Sequence, residues 1–209
     1  MAFRRVLAFH SVFGAYGFWL PNDPRGSWSR YVGSRELYEF GAATKTDARR
    51  SVAHVRHDHN LRRAAKRAMR FPSVRLTGIQ ARAMARGIAS AVDESKYAVH
   101  SCAIMSDHVH LVISWHERHV RRIVSHVKAR ATQRLRKEQV WPEESRPVWA
   151  KGSWSVFLYS AKDIDRAIRY VEQNPGRDAK PPQRWSFVVP LTGWANAPLL
   201  SRRACPALG

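Results

Sequence analysis

The chain has 209 residues, enough for one well-cored domain, and 36 Lys and Arg against 16 Asp and Glu give it a net charge of +20. Such an excess of positive charge opposes compaction unless a polyanion neutralises it, so nucleic acid is the expected partner. The sequence has no apolar run of about 18 or more residues and no signal-peptide pattern. Its only cysteines, Cys102 and Cys205, exclude a Cys-x-x-Cys zinc site. We therefore expect a reduced cytoplasmic protein without a membrane span.

Hydrophobic periodicity predicts an α+β fold in which strands and helices alternate. The predicted strands are residues 5–13, 96–105, 108–115 and 154–159, and the predicted helices are about 77–94, 118–137 and 161–174. The order strand, helix, strand, strand, helix, strand, helix is typical of the ferredoxin-like split βαβ fold. We therefore expect an antiparallel sheet with helices on one face, plus one extra C-terminal helix that carries Tyr170.

A long connection follows the first predicted strand, and its part from about residue 36 to 73 is a strongly basic insertion. Because a structureless connection of that length is unusual in a compact domain, we expect a helix within residues 46–70. The domain is expected to cover residues 1–176. Residues 177–209 contain many prolines and are interpreted as a C-terminal tail.

The most informative motif is His108-Val109-His110 in the third predicted strand. Residues two apart on a strand project from the same face, so the two imidazoles leave the sheet side by side. Neutral histidine is a ready ligand for a divalent cation. An isolated pair is also compatible with two surface histidines on a half-exposed strand. Val112 takes the next position on this face, which disfavours a nucleotide hydrolase that needs a third histidine there.

The last predicted helix starts at a capping-box-like Ser160 and Asp163. Tyr170 and Asn174 are four residues apart and share a helix face, so together they could present a phenol and an amide oxygen to the two histidines. Taken alone, Tyr170 is equally compatible with a core or rim position, and Asn174 with a helix-end residue. The Pro-Gly pair that follows Asn174 is expected to end the helix.

The predicted helix at residues 118–137 is amphipathic. Its apolar stripe consists of Val120, Val124, Val127, Ala131 and Leu135. Its other faces carry the candidate DNA-binding residues Arg121, Lys128, Arg130 and Arg134. A run of charge is by default a solvated face, but the net charge of +20 favours contact with DNA phosphates.

The run Asp-His-Val-His-Leu-Val-Ile at residues 107–113, taken with Ala-Ile-Arg-Tyr-Val-Glu-Gln-Asn at residues 167–174, resembles the single-tyrosine HUH transposases, including their REP-associated relatives. Residues 16–27 and 127–135 are similar to that family as well. The resemblance covers roughly residues 3–176. The basic insertion is longer and more basic than in the minimal domain of the family, so its role does not carry over, and the tail has no match in the family.

The resemblance implies a metal-dependent endonuclease and strand transferase, a transposase, that acts on single-stranded DNA with hairpin-marked ends. Tyr170 would be the nucleophile that forms a 5′-phosphotyrosine, and His108, His110 and Asn174 would hold Mg²⁺ or Mn²⁺. The family's members commonly form homodimers, in which the tyrosine serves its own or the partner's histidine pair. The alternative that remains is a transposase-derived protein that binds hairpin DNA without cutting it.

Overall fold

A computed structural model describes residues 5–18, 20, 35–41, 56, 58–142 and 145–191 of the chain. Four antiparallel strands in these residues form one sheet, in the order β2-β3-β1-β4. The strands are β1 (Ala8–Gly14), β2 (Val99–Ile104), β3 (His108–Ser114) and β4 (Trp154–Leu158). The α-helices in these residues are α1 (His59–Ala68), α2 (Gly78–Ser95), α3 (Val120–Lys137) and α4 (Ala161–Arg177), and a short 3-10 helix covers Arg35–Phe40. The expected α+β class and antiparallel sheet are confirmed.

Side chains cap the starts of α2 and α4. Thr77 Oγ1 accepts the backbone N–H of Gln80 at 3.3 Å, and Gln80 Oε1 accepts the backbone N–H of Thr77 at 3.0 Å, which forms a complete capping box at the start of α2. At the start of α4, Ser160 Oγ accepts the backbone N–H of Asp163 at 3.1 Å. These bonds satisfy helix N–H groups that have no partner within the helix.

Helices α2 and α3 pack on one face of the sheet, against the alternate β3 residues Val109, Leu111 and Ile113. The whole predicted apolar stripe of α3 is buried in this layer. Two apolar side chains near the ends of elements are exposed. Ile79, in the first turn of α2, is 58% exposed, and Trp115 is 48% exposed because β3 ends one residue earlier and the strand alternation ends with it.

Gly87 lets the backbones of α2 and α3 touch. A Cβ atom on Gly87 would lie 2.5 Å from the carbonyl oxygen of Arg130 and 2.6 Å from Cα of Ala131. Both distances are far inside van der Waals contact, so only glycine fits at this helix crossing. The close approach fixes how the two helices lie on the sheet.

Helix α4 packs on the opposite face of the sheet. Its residues Ile164, Ala167 and Val171 lie against apolar side chains that include Val112 of β3 and Leu158 of β4. Because Val112 shares its strand face with His108 and His110, α4 covers the face from which both histidines project.

The expected end of α4 at Asn174 is wrong, because the helix continues through Pro175 to Arg177. Proline lacks an N–H and normally ends a helix. Here it stands in the last turn, so only the bond to the carbonyl of Val171 is lost. The extension adds Arg177 to the helix, seven residues after Tyr170.

The expected helix in the basic insertion is present as α1. Asp58 caps it by accepting the backbone N–H groups of Asn60 and Leu61 at 2.8 and 2.9 Å. Ala65 of α1 packs with Leu20 and Leu37 in a small apolar cluster of its own. Residues 42–55 and 57 of the insertion lie outside the described residues.

The described part of the expected tail runs along the outer edge of β2. The backbone N–H of Val189 donates to the carbonyl of Val99 at 2.8 Å, and the indole N–H of Trp185 donates to the carbonyl of Cys102 at 3.2 Å. The side-chain amide of Gln183 bonds both backbone groups of Ile104, each at 2.8 Å. The edge of β2 is therefore covered by residues of the same chain, while residues 192–209 lie outside the described part.

Two expectations from composition concern the described residues. Cys102 is buried and forms no disulfide with another described residue. Cys205 lies outside the described residues. Among the described helices, none combines the length and the apolar character that crossing a bilayer requires.

Candidate active site

The ring nitrogens of His108 and His110 converge above the sheet. The two Nε2 atoms are 2.9 Å apart. Two ligands at neighbouring corners of an octahedron, each about 2.1 Å from a Mg²⁺ ion, are about 3.0 Å apart. The spacing is that of a hydrogen bond between the two rings, and it also fits two ligands of one divalent cation.

Each histidine of this pair has a partner on its other ring nitrogen. Asp107 Oδ1 lies 2.7 Å from Nδ1 of His108, and Nε2 of His10 lies 3.1 Å from Nδ1 of His110. A partner that accepts the Nδ1 proton leaves the Nε2 lone pair free to bind a cation. Each ring of the pair is therefore held by a second side chain at its Nδ1 atom.

His10 belongs to the site, although the sequence analysis assigned it no role. In the register of β1 and β3, His10 lies opposite Val112, and Val12 lies opposite His110. His10 and His110 are thus diagonal neighbours on one face of the sheet, close enough for long side chains to meet. The signal was available in the sequence, but only once the pairing of β1 with β3 is known.

Burial keeps the inner histidines neutral. His10 is 8% exposed and His110 is 5% exposed. Burial lowers the pKa of His10 to about 4. Burial also lowers the pKa of His110 well below its ordinary value, and electrostatic interactions with His108, His10 and Arg177 lower it further. Neutral imidazole is the form that binds a metal ion.

Tyr170 stands beside this group of histidines in the same chain. Its ring centre is 5.7 Å from that of His110 and 5.8 Å from that of His10, and both contacts are edge-on. The tyrosine is 40% exposed, so it is a rim residue that solvent or a substrate can reach. Helix α4 therefore brings a phenol to the histidines, as the sequence predicts.

Asn174 is buried one turn after Tyr170, with 8% of its surface exposed. Its Nδ2 donates to the backbone carbonyl of Tyr170 at 3.1 Å, which leaves Oδ1 as the atom that could bind a cation. Gln173, the neighbouring amide, is exposed. The described residues contain no group of three or more His, Cys, Asp or Glu side chains that could hold a metal ion.

Two further residues complete the surroundings of the site. Arg177 places its guanidinium carbon 4.8 Å from the centre of the Tyr170 ring. Phe18 packs its ring 5.0 Å from that of His108, in the space left by Gly14, where a Cβ atom would lie 2.5 Å from the Phe18 ring. Gly14 is the register partner of His108 on β1, so a side chain there would displace Phe18.

The four candidate DNA-binding residues lie on α3, across the sheet from α4. Lys128 Nζ donates to the carbonyls of Ala150 and Gly152 at 3.0 and 2.5 Å, and burial lowers its pKa to about 8. Arg130 bonds Glu94 at 2.8 Å, and Arg134 lies 3.8 Å from Glu138. Arg121 is exposed and forms no ion pair with another described residue. The structure does not bring these four side chains to the histidine pair.

The part of the chain that contains the histidine pair and the tyrosine helix has a match among known families. Residues 73–174, slightly under half of the chain, match the family model described as "Transposase IS200 like". This segment is similar to the IS200-like transposases, in agreement with the resemblance to single-tyrosine transposases drawn from the sequence.

Two solved structures are similar to this chain. One is described as a REP-associated tyrosine transposase bound to a REP hairpin, with 10% identity, 85% of this chain and 74% of that chain covered, and a TM-score of 0.46. The other is a protein from Deinococcus radiodurans R1 described as a transposase, with 10% identity, 83% of this chain and 94% of that chain covered, and a TM-score of 0.38. No curated protein matches the chain.

Proposed function

We propose that this protein is a metal-dependent single-stranded DNA endonuclease and strand transferase that forms a 5′-phosphotyrosine intermediate at hairpin-marked DNA. One observation carries the proposal. The exposed ring of Tyr170 lies 5.7 Å from the ring of His110, whose Nε2 faces that of His108 at 2.9 Å. A nucleophile beside a pair of cation ligands is the arrangement that phosphoryl transfer to a tyrosine requires.

His108 and His110 would hold Mg²⁺ or Mn²⁺ through Nε2, and Asn174 through Oδ1. A bound divalent cation stabilises the negative charge that develops on the phosphate oxygens. Arg177, beside the phenol, would contact a non-bridging oxygen of the same phosphate through its planar guanidinium. The chain's own residues thus supply the ligands, the nucleophile and a positive charge.

Tyr170 would attack the phosphorus through its phenol oxygen. A new phosphorus–oxygen bond forms to the tyrosine, and the bond to the 3′ oxygen of the preceding nucleotide breaks. The phenol proton passes to water, and the departing 3′ oxygen takes a proton from water. The products are a 5′-phosphotyrosine and a free 3′-hydroxyl. Attack of a 3′-hydroxyl on the phosphotyrosine reverses the step and joins strands.

We propose that Tyr170 attacks in cis, because the tyrosine and the histidine pair meet within one chain. The homodimer that the family resemblance implies would then bring two complete sites together. It would not be needed to assemble either of them.

DNA contacts are proposed for Arg121, Lys128, Arg130 and Arg134, and their surroundings differ. Arg121 is exposed and ready to bind a phosphate. Arg130 and Arg134 would exchange a carboxylate partner for a phosphate. Lys128 would first have to release two backbone carbonyls. We expect Arg121 to contribute most of the four to the salt dependence of binding.

The strand order β2-β3-β1-β4 with antiparallel neighbours supports the ferredoxin-like interpretation of the fold. Helix α2 connects β1 to β2, and α3 connects β3 to β4. In this arrangement α1 belongs to the basic insertion between β1 and α2. Helix α4 is the added element that carries the tyrosine.

The test is covalent capture of labelled, hairpin-bearing single strands in the presence of Mg²⁺. We expect a protein–DNA adduct with the unaltered chain, none with Tyr170→Phe, and normal capture with Tyr159→Phe. Tyr159 is a matched control, because it is 41% exposed against 40% for Tyr170 and lies at the end of β4. Hairpin binding without any adduct would support the non-cleaving alternative, and an adduct that persists in Tyr170→Phe would remove Tyr170 from its role.

A further inference from the structure

His10 is a buried histidine that touches both His110 and Tyr170. Its Nε2 lies 3.1 Å from Nδ1 of His110, and the two rings stack at a centre-to-centre distance of 5.3 Å and an angle of 25°. Its ring also meets that of Tyr170 edge-on at 5.8 Å. We propose that His10 is a positioning residue that holds the ring of His110 with Nε2 directed at the cation site. This inference rests on the proposed function, because it assumes that His110 is a cation ligand.

The position of His10 is set by the sheet and not by a flexible loop. It lies in the middle of β1, which pairs with β3 on one side and with β4 on the other. Its ring nitrogen therefore meets His110 from a rigid backbone on both sides. A second interaction of the same kind exists in the site, since the carboxylate of Asp107 holds Nδ1 of His108 at 2.7 Å. Each of the two proposed ligands thus has its own partner on the ring nitrogen that faces away from the cation.

An apolar side chain would be the simpler choice at position 10 if the position served only folding. The side chain is 8% exposed on the sheet face that α4 covers, and burying a polar ring there costs free energy unless a hydrogen bond compensates for it. The compensating bond runs to His110. The buried polar ring of His10 is therefore explained by its contact with His110.

The proposal assigns the proton of this hydrogen bond to Nδ1 of His110. While Nδ1–H of His110 donates to His10, the proton is absent from Nε2, and the Nε2 lone pair is available to a cation. Without an acceptor at position 10, the ring is free to rotate or to carry its proton on Nε2. Loss of such a partner typically weakens metal affinity about 10- to 100-fold.

The experiment measures Mn²⁺ binding to the full chain by electron paramagnetic resonance, without DNA. We expect His10→Leu and His10→Phe to bind Mn²⁺ about 10- to 100-fold more weakly. We expect His10→Gln, whose amide oxygen can accept the same bond, to stay close to the unaltered protein. His10→Phe keeps the ring volume and remains informative if His10→Leu does not fold. His100→Leu is the matched control, since His100 is also 8% exposed but bonds Ser114 on another part of the sheet.

Each outcome bears on the proposal. Unchanged Mn²⁺ affinity in both His10→Leu and His10→Phe overturns it. So does a His10→Gln variant as weak as His10→Phe, because packing alone would then explain the loss. Failure of the unaltered protein to bind Mn²⁺ overturns both this inference and the metal part of the proposed function. Normal Mn²⁺ binding without any DNA adduct overturns the strand-cleavage proposal alone and leaves the role of His10 standing.

Discussion

The guanidinium carbon of Arg177 lies 4.8 Å from the centre of the Tyr170 ring, two turns further along α4. The relationship exists because α4 continues through Pro175, which places residues 170 and 177 on one helix face. A guanidinium at this distance over an aromatic ring is held by the electron density of the ring. A positive charge therefore stands beside the proposed nucleophile.

Replacing Arg177 should slow covalent capture without removing the nucleophile. We expect Arg177→Gln to lower the single-turnover rate of adduct formation about 10- to 100-fold, because one charge-assisted bond to phosphate is worth about 1.5–3 kcal/mol. Arg169→Gln is the control, since Arg169 lies on the same helix but pairs with Asp165 at 2.5 Å. Equal rates for the two variants would show that Arg177 has no special place in the reaction.

Asn174 should matter for the cation, and its neighbour Gln173 should not. We expect Asn174→Ala to weaken Mn²⁺ binding about tenfold or more, because it would remove one of the three proposed protein ligands. Gln173→Ala should bind as the unaltered protein does, since Gln173 is exposed. Titration of Mn²⁺ into both variants gives the comparison. Weaker binding in Gln173→Ala alone would reassign the third ligand.

Gly87→Ala should destabilise the protein although alanine is the better helix former. Helix propensity alone would favour alanine by about 0.5–1 kcal/mol. The added Cβ would lie 2.5 Å from the Arg130 carbonyl oxygen, and overpacking of this kind costs about 1–3 kcal/mol, so the clash wins. Urea unfolding measures the difference. Gly78→Ala, on the same helix with its nearest neighbour at 3.8 Å, is the control and should be neutral or slightly stabilising.

Because of Lys128, the free energy of unfolding should increase as the pH rises from 8 to 10.5. Burial lowers the pKa of Lys128 from an ordinary value of 10.5 to about 8, so in this window the unfolded chain holds a proton that the folded chain has lost. Stability rises with pH wherever the unfolded state binds more protons, and the expected gain is on the order of 1–3 kcal/mol.

Urea unfolding at pH 7.5 and pH 10 tests this behaviour against Lys128→Met, in which the lysine-specific part of the rise should disappear. An identical change with pH in both proteins would mean that the ammonium is not desolvated.

The Lys128→Met variant also tests the proposed DNA contact. A side chain held by the carbonyls of Ala150 and Gly152 should affect stability more than the salt dependence of DNA binding.

The elements that local pattern dictates were predictable from the sequence. The start of α2 near residue 77, the period-two alternation around His108 and His110, and the apolar stripe of α3 each depend on residues near one another in the chain. The structure has all three. Tyr170 on the last helix follows from the same kind of reasoning.

The features that were not predicted depend on contacts between segments distant in the chain, or on a helix that continues through a proline. His10 joins the site through the register of β1 with β3, a pairing across about a hundred residues of chain that no local pattern encodes. Arg177 joins it because a proline in the last turn costs α4 a single hydrogen bond and does not end the helix. The burial of Lys128 likewise arises from a loop that meets α3 only in the folded chain.

Identification of the residue that carries DNA in the covalent adduct tests the central claim most directly. The adduct formed with Mg²⁺ is digested with protease and nuclease, and mass spectrometry locates the remaining phosphonucleotide. We predict that it is attached to Tyr170 through a 5′ phosphate. A phosphonucleotide on any other residue would contradict the account, as would attachment through a 3′ phosphate.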